Sequence, residues 1–179
     1  ELMPECVALF TDSQAPYRIR TNAALVLMST DTTVTAPMVR ARVSPDETVN
    51  WDSELKGMYC RILWPHRLTF AELVPLLQPA RSGFHGTYEA FLDHFAELMP
   101  AASLPEALAW LPTGRRILPE DAVQTLVRQA FVRLDEPEIR SRLLDLFAAA
   151  SDGEDFFGDD ETGRWSADVP AVNRRRLWA

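Results

Sequence analysis

The stretch from Pro119 to Ala150 reads PEDAVQTLVRQAFVRLDEPEIRSRLLDLFAAA, and its periodicity decides the fold class. In the first half Val123, Leu126, Val127, Ala130, Phe131 and Leu134 recur at the three- and four-residue spacing that lines one face of an α-helix. In the second half Ile139, Leu143, Leu144 and Phe147 repeat the form. Pro119 and Pro137 stand where the two helices begin, a place proline tolerates because a first-turn N–H has no partner within the helix. Two consecutive amphipathic helices joined by a short turn are therefore predicted here.

Working towards the amino end, the same pattern returns. Ser103-Leu104-Pro105-Glu106 reads as a capping box opening a helix through Leu111. Thr87 to Met99 forms a helix with Tyr88, Phe91, Leu92, Phe95 and Leu98 on its buried face. Thr69-Phe70-Ala71-Glu72 is another capping box, flanked by Leu68 and Leu73 as a hydrophobic staple. Asp52 to Trp64 buries Leu55, Met58, Tyr59, Ile62 and Leu63 and turns Glu54, Lys56 and Arg61 outward, and Pro65 ends it. Thr32 to Val43 is rich in Thr and Val, which favour strand, yet Val34, Met38, Val39 and Val43 keep a helical spacing. Pro16 to Ser29 places Ile19, Ala23, Val26 and Leu27 inward and Arg18, Arg20 and Asn22 outward, and Pro4 to Phe10 is a short helix before it. Beyond Ala150 an acidic, Gly-punctuated loop leads to a last helix, Pro170 to Ala179.

The helix starts fall into two series. One begins near residues 4, 34, 70, 104 and 137, the other near 17, 52, 87 and 119. A helix-loop-helix unit returning every ~35 residues is the mark of an α-solenoid, in which each unit buries its apolar face on its neighbours. The expectation is thus all-α, an α-solenoid of roughly four to five HEAT-like helix pairs, since the tetratricopeptide consensus is missing. An irregular helical bundle is the alternative. Residues 1–179 read as a single helical-repeat segment excised from a larger multidomain protein, because the last helix stops with Val169, Val172, Leu177 and Trp178 uncovered.

Composition narrows the function classes. A net charge of −8 argues against nucleic acid as partner, because phosphate binding needs a concentrated basic surface. Arg115-Arg116 and Arg174-Arg175-Arg176 lack interleaved aromatics and read as solvated surface. No apolar run reaches the ~20 residues of a membrane span, so no membrane partner is expected. Cys6 and Cys60 have neither metal-knuckle nor disulfide spacing, and a reduced, core-facing thiol in a cytoplasmic protein is the expectation for each.

Candidate chemistry is sparse. His66, His85 and His94 lack the i, i+4 pairing or Cys/His cluster of a metal site. The stretch Asp152 to Glu161 offers no register with the oxygen ligands, sixth-position Gly and twelfth-position Glu of an EF-hand. Lys56-Gly57 lies in the wrong order for a phosphate-binding loop, and no Gly-x-Ser-x-Gly elbow occurs. No catalytic, cofactor-binding or metal residue is assigned, and no cofactor is expected. Phe156 and Phe157 in the acidic loop, with Leu177 and Trp178 at the carboxyl end, are the candidates for protein contact, the latter two also for weak self-association. Trp51, Trp64, Trp110, Trp165 and Trp178 lie near helix ends and read as packing between units.

The ordered series from Asp52 to Leu111 resembles a region of large bacterial NACHT-type ATPases of the STAND class. Carrying the likeness are Glu54-Leu55-Lys56-Gly57, Leu63-Trp64-Pro65, Leu68-Thr69, Glu72-Leu73, Leu76-Leu77, Gly86 to Leu92 and Leu104 to Trp110. Ala130 to Ile139 resembles its continuation and Pro16 to Arg20 a HEAT turn of the preceding part. The pattern departs at Gln78-Pro79-Ala80-Arg81, where the family carries a Pro-Pro-Lys run. The resemblance covers about two thirds of the chain and implies a helical, HEAT-like array outside the nucleotide-binding module. It further implies a cytoplasmic parent with a nucleotide-driven switch, in signalling or phage defence. The resulting expectation is a non-catalytic interaction, scaffold or sensor segment. It would recognise a protein partner or restrain the ATPase module of its own chain. The rivals are a free-standing HEAT-like adaptor and, third, an all-helical enzyme.

Overall fold

Every regular element in the computed structural model, which describes residues 2–79 and 86–151, is helical. In chain order these are α1 (Leu2–Thr11), α2 (Tyr17–Met28), α3 (Thr32–Arg40), α4 (Pro45–Thr48), α5 (Ser53–Leu63), α6 (Phe70–Leu73), α7 (Thr87–His94), α8 (Leu104–Gly114), α9 (Glu120–Val132) and α10 (Pro137–Ser151). Short 3-10 turns at Val74–Leu76, Ala101–Ser103 and Arg115–Ile117 bracket α6 and α8. The expected last helix, Pro170 to Ala179, lies outside the described residues.

The strand-prone segment is helical, and the reason is local. Asp31 caps α3 by accepting from the Thr33 amide at 2.8 Å, while Thr35, Ala36 and Val39 are buried along one face. The predicted box at Thr69 forms: Glu72 N donates to Thr69 Oγ1 at 3.2 Å, and the Glu72 carboxylate accepts from the Thr69 amide at 2.9 Å. The predicted box at Ser103 does not form. Ser103 belongs to a 3-10 turn, its own amide donates to Pro100 O at 2.9 Å, and its helical backbone cannot aim the hydroxyl at the start of α8. A box at Ser44–Glu47, absent from the sequence reading, starts α4 instead, with Glu47 accepting from the Ser44 amide at 3.1 Å.

The helix expected through Met99 ends at His94. Glu97 and Leu98 amides both turn back to the His94 carbonyl, and Pro100 disfavours helix at the residue before it. The tightened turn buries Met99 and leaves Leu98 47% exposed, against its expected inward position. The Trp64–Pro65 peptide that follows α5 is cis.

One core runs the length of the described chain, from Cys6, Val7 and Phe10 to Ile139, Leu143 and Leu146. Its layering follows from which helices touch. α2 packs on α5, α5 on α7 and α7 on α9; on the other side α1 packs on α3, α6 on α8 and α8 on α10. α1 with α2, α3 with α5 and α8 with α9 close the pairs. Six of the polar ties between elements span 31–35 residues, beside others that span 8–27. Tyr17 Oη reaches Asp52 (35 residues), Thr87 donates to Glu54 (33), Arg40 pairs with Glu72 (32), and Trp64 Nε1 donates to Phe95 O (31). Gln129 Nε2 donates to Ala96 O (33) and Arg133 Nη1 to Ala101 O (32).

Candidate functional site

Phe156, Phe157, Leu177 and Trp178, the residues singled out for protein contact, lie outside the described residues, as do His85, Trp165 and Arg174-Arg175-Arg176. Within them His66 is exposed, and His94 is exposed with its Nδ1 2.9 Å from Ala90 O. Among the described residues no three His, Cys, Asp or Glu side chains stand close enough to share a metal ion, and no helix is long and apolar enough to cross a membrane.

The concentration of polar chemistry lies instead where α5 meets α7 and where α2 meets α5. Gly57 brings α5 against the α7 backbone so closely that a Cβ there would stand 2.2 Å from Tyr88 N. Around this contact the polar groups fasten one another. The Glu54 carboxylate accepts from the Thr87 amide at 2.7 Å and from the Thr87 hydroxyl. The N-cap of α7 is Gly86, which has no side chain to cap with, so a carboxylate from α5 satisfies an amide that would otherwise lack a partner. Lys56 was expected outward but is 4% exposed; its ammonium donates to Gln78 Oε1 at 2.9 Å and lies 5.9 Å from the Tyr88 ring centroid. The Tyr88 hydroxyl has Leu76 O and Gln78 O within donating distance and accepts from Gln78 N at 2.6 Å.

Arg20, also expected outward, is 9% exposed. Its Nε donates to Phe10 O at 3.0 Å and its guanidinium lies 4.5 Å from the Trp51 ring centroid, while Nη2 is buried without a hydrogen-bond partner. Trp51 in turn meets Phe10 and Tyr59 edge to face. Both inward cations were legible by spacing. Ala23, Ala24 and Leu27 stand three, four and seven residues after Arg20, and Tyr59, Cys60 and Leu63 hold the same places after Lys56. Long aliphatic stems let such residues cover apolar surface while the charged head finds a polar partner or a ring face.

Burial sets the chemistry of the remaining groups. It pushes the Cys60 thiol up to about 12, with Lys56 pulling weakly the other way, so at neutral pH the thiolate is scarce. Burial likewise raises the Tyr59 and Tyr88 hydroxyls, which stay protonated as hydrogen-bond donors. The Glu72 carboxyl is held below its usual range first by the Thr69 amide and further by Arg40. The arrangement joins one helix to the next; it exposes no activated nucleophile in this cluster.

The described surface is unevenly apolar. Leu2, Leu9, Tyr17, Ile19, Leu25 and Val34 are more than two-fifths exposed on α1 to α3, against Leu98 and Val132 further on. No protein-family model matches the chain, and neither the curated proteins nor the solved structures include one of significant similarity to it.

Proposed function

We propose that this chain is a stacked, HEAT-like helical-repeat segment acting as a non-catalytic scaffold or sensor in a bacterial STAND-type ATPase. There it recognises a protein partner or restrains the nucleotide-driven module. The observation that carries the stacking is the recurrence of inter-helix ties at 31–35 residues, matched by packing that runs α2–α5–α7–α9 on one side. A quasi-one-dimensional array ties each unit to the next at a similar separation, and six ties of 31–35 residues support that reading. The STAND assignment rests on the ordered resemblance from Asp52 to Leu111 alone; the non-catalytic reading is supported by the polar cluster's fastening α5 to α7.

Two measurements test the proposal. Small-angle scattering of the chain in dilute solution is expected to give an elongated particle, with a radius of gyration above the ~16 Å of a sphere-like domain of this size. A value at that figure refutes the stack. In the gene, codons in frame with this chain are expected to specify a phosphate-binding loop, and deleting residues 2–151 from the longer protein is expected to change basal ATP hydrolysis several-fold. A reading frame bounded by start and stop codons refutes the attachment to an ATPase.

A further inference from the structure

We draw no further inference here: the strongest candidate, the surface patch where Leu2, Leu9, Ile19 and Leu25 stand exposed on α1 and α2, carries nothing because nothing in the structure shows what covers it.

Discussion

Replacing Gly57 with Ala sets helix propensity against packing, and the geometry decides which wins. Gly57 lies inside α5, where alanine is intrinsically better by about 1 kcal/mol. The added Cβ, however, would stand 2.2 Å from Tyr88 N, 2.4 Å from Tyr88 Cα and 2.6 Å from Thr87 C. These are backbone atoms, so no side-chain rotation relieves them, and α7 must retreat by roughly 1 Å to restore ordinary contact. That retreat strains the Glu54–Thr87 and Lys56–Gln78 bonds and loosens Phe91 and Leu92 in the core. Overpacking of this kind costs about 3 kcal/mol, which leaves a net loss of about 2 kcal/mol after the propensity gain. For a chain of this size that is a fall in Tm of about 5 °C. Gly114→Ala is the internal control. Its Cβ would meet the Trp110 ring at 2.1 Å, but that ring is a half-buried side chain that can turn, so a loss within about 1 kcal/mol is expected. Urea unfolding followed by tryptophan fluorescence and far-UV circular dichroism measures all three proteins. If Gly57→Ala melts with the wild type, or Gly114→Ala loses more, the close approach of α5 and α7 is wrong.

Thr69→Ala should cost about 1 kcal/mol in the same urea melts, while Ser103→Ala should cost a few tenths at most, because only Thr69 caps a helix; equal losses would contradict the cap assignment. Glu72 has its carboxyl depressed below the ordinary 4.5, so its contribution to stability is present above that value and lost as pH falls through the depressed one. Glu72→Gln is therefore expected to flatten the acid limb of a Tm-against-pH curve, and an unchanged acid limb would refute the linkage. Cys60, buried with its thiol raised to about 12, should resist iodoacetamide at pH 8 in the folded protein and react fully in urea; rapid native labelling would show the thiol to be accessible. Arg20→Met keeps volume and removes an unpartnered buried donor, so it should lie within about 1 kcal/mol of wild type, whereas Arg20→Ala should lose about 2 kcal/mol or more; the reverse order of the two melts would refute that account.

The long amphipathic helices were legible because their apolar period is complete: α9 and α10 start within a residue of where Pro119 and Pro137 place them. Capping patterns were legible only in part, and the backbone explains why. Ser44, Thr69 and Ser103 each stand three residues before a Glu, yet a side chain can cap only when the chain arrives extended. Ser44 and Thr69 arrive with ψ of 156° and 161°, Ser103 with ψ of −9°, already turning through Ala101–Ser103. The four residues of α4 hold no apolar period, so its box was the only trace it left. The end of α7 escaped because Leu98 keeps the register of a helix that has already stopped at His94, a stop imposed by the turn into Pro100.

The two inward cations carry the one regularity that hydrophobic periodicity hides. Arg20 of α2 lies over Trp51, and Lys56 of α5 lies over Tyr88. Arg20 sits in α2 and Lys56 in α5; Trp51, in the turn before α5, and Tyr88, in α7, follow them by 31 and 32 residues by subtraction of their numbers. A charge on an amphipathic helix is read as solvent-facing by default, because most such residues are exposed. That rule fails when a distant segment brings a ring face or a carbonyl to the charge, since the ring and one or two hydrogen bonds offset part of the desolvation. Spacing within a helix marks Arg20 and Lys56 as inward but cannot register the partner, which lies 31 or 32 residues away. Two spacings thus shape this part of the fold: apolar spacing of three and four residues shapes each helix, and a cation-to-aromatic spacing near 32 ties α2 to the turn before α5 and α5 to α7. Between α9 and the turn that follows α7, Gln129 donates to Ala96 O across a similar 33 residues, so a comparable separation is bridged there by an amide and a carbonyl.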